Sequence, residues 1–375
     1  MRKVHVLFSG LLNGMPILAL PIGIYLFIGR FIAGIVVDFT QGILLGTWYY
    51  NIITGYLFAF MDRDNFIPFL IIGEYGLLTM VPIYLLGLLL PLVASFYFVL
   101  FLLNDSGLLH RISLSSRRFF RFMGLSGEGV IPMMLGFGCV TAALISVNTL
   151  KHKREQLIAS ILLCIAIPCS AQFAIILGVA SILPFKYMLI YILTIASVFV
   201  AAGLLLNQIV PGKFIDCAPE TKPLRIPAIL PALAGTFTAS REFLKDSAPT
   251  FALGSLFMSV LNYSGWFAAI HKWCEPVTSG LLGLPPRATD LFMLAIIKKD
   301  LGAAEFYTAV SGGAFSHIQI TVTLVVMTLF VPCFASFMVL FKDRGAIIAL
   351  VTWLGSFLLS FALGGLVSEI LNFLA

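Results

Sequence analysis

Three runs in this chain, Val81–Leu103, Tyr187–Val210 and Ile318–Phe341, contain no Asp, Glu, Lys or Arg. Each approaches or exceeds the ~20 apolar residues that carry a helix across a bilayer. Lipid offers no water to free backbone N–H and C=O groups, so spanning segments of this kind form helices. The composition agrees: 60% of the residues are hydrophobic and 11% charged, against roughly 25% charged in soluble domains. The chain therefore reads as an all-α polytopic membrane protein whose first partner is the lipid bilayer. Its net charge of +6 is no nucleic-acid signature, because the Lys and Arg residues gather in a few loops, as orientation in a membrane requires.

Taken in order, Met1–His5 is basic and placed in the cytoplasm, and Leu11–Val37 is a first span. Its apolar stretch runs past residue 30, which is too long for a cleavable signal peptide. The aromatic Asp38–Asn65 segment reads as a surface helix and loop, and residues 1–80 form a leading unit. Residues 81–210 form a first repeat. In it, a basic loop over Asn104–Gly127 and the Lys151, Lys153 and Arg154 cluster put both flanks of Glu128–Leu150 on one side, so that segment enters and returns as a re-entrant hairpin. Gln156–Leu183 spans, broken at Pro168, and Tyr187–Val210 returns. Residues 211–246, with five prolines, read as a polar linker. Residues 247–375 form a second repeat: a span at Ser247–Phe267, a hairpin at Val277–Ile297, a span broken at Pro332 and a last span at Ala346–Leu374.

The two halves match at an offset of ~160 residues, an internal repeat of the kind that defines a fold. Asn104-Asp105-Ser106-Gly107 falls on Asn262-Tyr263-Ser264-Gly265, Gly124-Leu125 on Gly283-Leu284, and Ile167-Pro168-Cys169-Ser170-Ala171 on Val331-Pro332-Cys333-Phe334-Ala335. Each half is a span, a re-entrant hairpin, a broken span and a return span. An odd number of crossings per half inverts the second against the first, an architecture recurrent in secondary transporters. With one leading span the expectation is about seven crossings and two hairpins.

Breaks inside apolar segments are tolerated where they are buried in protein or line a wet cavity. Cys139 follows Gly136-Phe137-Gly138, while Cys169 and Cys333 each follow a proline. Thiolates hold soft or borderline divalent ions, Fe2+ among them, so these three cysteines are the candidate metal ligands. Ser170, Thr141, Gln172 and Asn148 offer neutral oxygen nearby. Glu74 is either an interfacial charge or a carboxylate at the outer mouth. Asp300 either pairs with Lys298 and Lys299 or stands on the ion path. Cys164, Cys217 and Cys274 read as small buried residues, and Met133 and Met134 as packing. The histidines are scattered, which does not support a His-based metal cluster. The sequence contains no GxxxxGK(S/T), GxSxG or HExxH motif, so the chain reads as a transporter and not an enzyme, binding no nucleotide itself.

At Gly73-Glu74-Tyr75-Gly76, Leu103-Asn104-Asp105-Ser106-Gly107, Gly136-Phe137-Gly138-Cys139, Ile167-Pro168-Cys169-Ser170-Ala171-Gln172, Lys299-Asp300-Leu301-Gly302-Ala303 and Phe330-Val331-Pro332-Cys333, the chain resembles the membrane (Gate) core of the ferrous iron transport protein B (FeoB) family. The resemblance covers nearly the whole sequence. It implies a nucleoside-transporter-like inverted-repeat fold and import of Fe2+, as transported substrate, through a prokaryotic cytoplasmic (inner) membrane. It further implies one of two arrangements, a separate small G protein in place of the family's amino-terminal GTP-binding domain or a chain that works without nucleotide; a small FeoA-like accessory protein and a second copy of the chain in a homo-oligomer are the other partners expected. After Gly-Phe-Gly-Cys the family continues Asn-Val-Pro-Ala, whereas this chain reads Val140-Thr141-Ala142-Ala143, with Asn148 where an Arg is expected. Two alternatives stand beside iron import: transport of another divalent metal or a nucleoside-like solute, and a non-transporting scaffold or regulatory subunit.

Overall fold

A computed structural model describes residues 66–73, 76–212, 226–297, 299–330 and 333–374, with scattered positions between 39 and 55. The expected first span, most of the surface segment after it, and Glu74 lie outside the described residues. The described chain is helical. Helix α1 (Phe66–Ile72) and α2 (Leu77–Val81) lead through a π-helical stretch at Pro82–Leu89 into α3 (Leu90–Asp105). Then follow α4 (Leu108–Phe122), α5 (Val130–Gly136), α6 (Val140–Val147), α7 (Lys153–Ala166), α8 (Ser170–Ala180) and α9 (Phe185–Ile209). The later elements are α10 (Ile229–Tyr263), α11 (Trp266–Gly280), α12 (Arg287–Ile297), α13 (Lys299–Ser311), α14 (His317–Leu329), α15 (Phe334–Arg344) and α16 (Ala346–Leu374).

Among the described residues, three stretches are long and apolar enough to cross a bilayer: Leu85–Asp105, Phe185–Ile209 and Ala346–Phe373. The protein is an integral membrane protein. Helix α9 shows why its open apolar face needs no protein partner: Phe185 is 81% and Ile209 72% exposed, as suits side chains that meet lipid.

The Asn-x-Ser-Gly motif has the same structure in both halves. Gly107 and Gly265 adopt φ of 78° and 71°, a conformation only glycine takes without strain. Each glycine N–H donates to the asparagine carbonyl three residues back, at 3.2 Å in both cases, and Ser106 and Ser264 hydroxyls donate to Leu103 and Leu261 carbonyls. The motif ends a long helix and turns the chain into a short one, α4 or α11. The expectation of a loop over Asn104–Gly127 is corrected here. Leu109, Ser113, Ser116 and Phe120 are buried, whereas Arg111, Arg118 and Arg121 are exposed, so α4 is an amphipathic helix that solvates its charges on one side.

The hairpin expected at Glu128–Leu150 is α5 and α6, joined at Phe137–Cys139. Its entry is pinned by Glu155, which is buried and accepts the Ser126 N–H at 2.7 Å and the Ser126 hydroxyl at 2.5 Å. Arg154 fastens the same loop to α9, donating to Asn207 Oδ1 at 2.6 Å and the Asn207 carbonyl at 2.8 Å. The second hairpin lies later than the sequence suggested: it is α12 and α13, not Val277–Ile297. Residues 277–280 complete α11, and Pro285 and Pro286 precede α12, where missing N–H groups cost little. The polar linker over residues 211–246 is also shorter than expected, since α10 already begins at Ile229. Pro231 sits in its first turn, where proline is tolerated.

The arms of the second hairpin touch backbone to backbone. A Cβ on Gly302 would stand 2.8 Å from both the Ala295 nitrogen and the Leu291 carbonyl oxygen. Neither atom can rotate away. Gly302→Val is expected to destabilise the protein by about 3 kcal/mol, read as a lowered unfolding temperature in detergent; an unchanged transition would contradict the close approach.

Two cores cross. Hairpin α5–α6 and α7 form one, with Leu135, Leu144, Ile158, Leu162 and Leu163, and it takes in Val339 and Leu340 from α15. Helices α12, α14 and α16 form the other, and it takes in Ile175, Ile176 and Val179 from α8. Each broken helix therefore begins in one core and ends in the other. The breaks lie where the cores meet, and that crossing places the site.

Candidate functional site

Cys139, Cys169 and Cys333 share one local structure. Each has extended backbone (φ/ψ of −145/114°, −78/173° and −55/157°) and each is the residue immediately before a helix: α6, α8 and α15. The break upstream of Cys169 follows from Pro168, which disfavours helical geometry at the residue before it; Ile167 is extended at φ −102°, ψ 114°. Val331 and Pro332 lie outside the described residues. Helix N-termini present unpaired N–H groups and a partial positive charge. Cys139 makes no side-chain capping hydrogen bond to α6. Three cysteines so placed present electron-rich sulfur to a common region at the ends of three helices.

The breaks are bonded to each other. Ser170 N–H donates to the Gly138 carbonyl at 3.1 Å, so the tip of the first hairpin is fixed to the start of α8. Thr141 on α6 meets α15: its hydroxyl lies 3.1 Å from Ser336 Oγ and 3.7 Å from Cys333 Sγ, and Cys333 Sγ lies 3.1 Å from Ser336 Oγ. Thr141 and Ser336 are buried. The Cys139 thiol is within electrostatic reach of Cys333 and Cys169. Five polar side chains or thiols from three elements thus converge. They do not form a closed cage: among the described residues, no three His, Cys, Asp or Glu side chains stand close enough together to hold a metal. A cation here would take a mixed set of sulfur, hydroxyl and water ligands.

Other expected residues have different places. Gln172 is occupied structurally: it accepts the Cys169 N–H at 3.1 Å and donates to the Met327 carbonyl, tying α8 to α14. Asn148 lies at the far end of α6 from Cys139, bonded to Asp343 at 2.7 Å and Arg344 at 2.8 Å. Asp300 is in the first turn of α13, and its side chain is outside the described residues. Ser170 engages the site through its backbone. Cys164 and Met133 are buried in the first core. His317 stacks on Tyr187 with ring centroids 5.8 Å apart. Ser336 is the site residue that the sequence reading missed. Its one signal was spacing: the third residue of the helix beginning after Cys333, the position that reaches back to a cap.

Residues 86–183 and 244–347, together more than half of the chain, match the family model Gate, described as nucleoside recognition. The chain is 24% identical over 318 residues to the Fe(2+) transporter FeoB of Methanocaldococcus jannaschii, covering 76% of this chain and 47% of that protein. It is 27% identical to the Fe(2+) transporter FeoB of Staphylococcus aureus strain COL over 184 residues, 47% of this chain and 27% of that protein. It is 29% identical over 173 residues to the Fe(2+) transporter FeoB of Helicobacter pylori strain 26695, 44% of this chain and 27% of that protein. The chain thus spans about half or less of the length of these relatives. Two solved structures of CNTnw variants, one in an intermediate and one in an outward-facing state, align with it at a TM-score of 0.45 and 15% and 16% identity, over 98% and 97% of this chain and 96% of each of theirs. On the match to its model, this chain belongs to the Gate family of membrane proteins.

Proposed function

We propose that this chain is a permease for ferrous iron, carrying Fe2+ inward across a prokaryotic cytoplasmic membrane. The observation that carries the reading is the convergence of Cys139, Cys169 and Cys333 at three helix starts, with Thr141 and Ser336 between them. Borderline divalent ions take mixed sulfur and oxygen donors. A thiolate buried among apolar side chains is stable when a cation sits beside it, so charge on sulfur and metal arrive together. Glu74 and Asp300 serve as outer carboxylates on the path, with the amino terminus in the cytoplasm. The two halves act as inverted repeats, residues 81–210 and 247–375, that close around the breaks in turn. A G protein and a small FeoA-like protein act as partners.

The test is uptake of radioactive Fe2+ by proteoliposomes under reducing conditions. Uptake above that of empty liposomes is expected, and none would contradict the reading. One observation favours a second reading within the same mechanism. The Thr141 and Ser336 hydroxyls make the donor set harder than thiols alone, which suits another divalent metal such as Mn2+. Competition separates the two: inhibition of Fe2+ uptake by excess Mn2+ that is itself carried faster would reassign the cargo.

A further inference from the structure

Helix α10 turns one buried stripe toward the first hairpin. Its centre is Phe243, 1% exposed, which packs with Val93, Cys139 and Ala142, and Tyr97 closes the same cluster. Ser240 and Ser247 lie three residues before and four after Phe243, and therefore on the same helix face. They are 8% and 0% exposed. Among the described residues, their hydroxyls are the buried side-chain oxygens without a hydrogen-bond partner.

That is unusual for this helix. Thr236 and Thr238, on the preceding turns, donate to the carbonyls of Ala232 and Ala234 at 2.7 and 3.0 Å, the ordinary way for a helical hydroxyl to satisfy itself. A buried hydroxyl left unpaired is costly, and two on the stripe whose Phe243 packs against the Cys139 thiol mark a place built for an occupant. The occupant follows from the donor count. A divalent cation of the first transition row takes up to six ligands, and the thiols and hydroxyls at the breaks do not close around one. Such an ion keeps water, and coordinated water is a strong donor that seeks an acceptor oxygen.

We propose that Ser240 and Ser247 hold the water ligands of a partly hydrated divalent cation as it passes Cys139. The inference rests on the cation-permease reading and adds to it the face of α10 that carries Phe243, which packs against Cys139. The hydroxyls accept hydrogen bonds from coordinated water, so the ion crosses this zone without complete dehydration. They are positioning residues that act through water.

The test uses the whole protein in liposomes. Ser240→Cys and Ser247→Cys are close in size to the native residues. Each is treated with a small, positively charged methanethiosulfonate, and the labelled position is located by mass spectrometry. Both are expected to label, and Fe2+ or Mn2+ at about ten times its Kd is expected to slow labelling about tenfold. Positions that stay unlabelled in folded protein but react after denaturation would overturn the inference, because the stripe would be dry. Labelling that no divalent cation slows would overturn it too. Protection by Mn2+ or Zn2+ without Fe2+ uptake by the wild type would remove iron from the proposed function and leave this site standing. A second measurement separates ligand from packing. Ser240→Ala/Ser247→Ala is expected to melt at an unchanged or higher temperature while the apparent KM for the carried cation rises about tenfold. A higher melting temperature with unchanged KM would make the hydroxyls mere unpaired polar groups.

Discussion

Cys169→Ser is expected to abolish Fe2+ uptake, by about 100-fold or more, while leaving the protein folded. The size of the effect rests on ligand chemistry: supporting residues around a metal already cost 10- to 100-fold in affinity or activity when lost, and a direct sulfur ligand is worth at least as much. The selectivity of the effect rests on local structure. Cys169 caps α8, and serine is among the preferred residues at that position. Its N–H donates to Gln172 Oε1 at 3.1 Å, a backbone bond that survives the change, and its side chain faces the Gln172 N–H in a capping box that a serine oxygen also completes. The Ser170 link to Gly138 is a backbone bond and also survives. The substitution thus exchanges sulfur for oxygen at one point and little else. Transport assayed beside thermal unfolding checks it; full uptake at an unchanged unfolding temperature would remove Cys169 from the path.

Arg344→Ala is expected to lower stability by about 2 kcal/mol and to reduce uptake as well. Arg344 ends α15, the helix that Cys333 immediately precedes. Its guanidinium donates to Asn148 Oδ1 and Gln156 Oε1, both at 2.8 Å, and lies 3.4 Å from Ser160 Oγ. Asn148 in turn donates to Asp343 at 2.7 Å. One side chain therefore fixes the far end of α15 to the exit of the first hairpin and to α7. The thiol at the near end of α15 and the Thr141–Ser336 contact depend on that anchoring. The residue is partly exposed, so water replaces some of the lost bonds and holds the cost near the lower end of the range for charged donors. Lysine does not restore the clamp, because a single ammonium cannot reach three acceptors with the planar fork of arginine. Unfolding in detergent and uptake by Arg344→Ala and Arg344→Lys check both points; wild-type stability in Arg344→Ala would show that the clamp carries no load.

What could be read from the sequence divides along physical lines. Helix breaks announce themselves locally: Pro168 and the Gly136–Gly138 pair interrupt apolar runs, and the described structure leaves helical geometry at Ile167 and at Cys139. The Asn-x-Ser-Gly turns were legible for the same reason, since a left-handed glycine needs no long-range partner. Charge and proline content misled where burial decides. Four arginines and a histidine suggest a loop at Asn104–Gly127, yet a buried stripe through Leu109 and Phe120 makes it a helix. Prolines suggested a linker up to Asp246, yet Pro231 falls in a first turn and α10 runs on through Pro249. Pro285 and Pro286 look in sequence like a break inside the second hairpin, whereas they precede its first helix, Arg287–Ile297.

In the candidate site, the thiols could be nominated because each adjoins a break. Ser336, Arg344 and the α10 serines could not. Their surroundings are set by residues far away in the chain: Ser336 meets Thr141 and Arg344 meets Asn148 across the two halves. A serine in an apolar helix gives no sign, in sequence, of whether its hydroxyl bonds back to the helix or faces a path.

The most direct test of the account is the metal bound by protein purified anaerobically under reducing conditions, wild type beside Cys139→Ser/Cys169→Ser. The account predicts stoichiometric Fe2+ in the wild type and its loss in the double variant, with both proteins folded. Wild-type protein that binds no divalent metal, or a double variant that binds Fe2+ as tightly as the wild type, would contradict it.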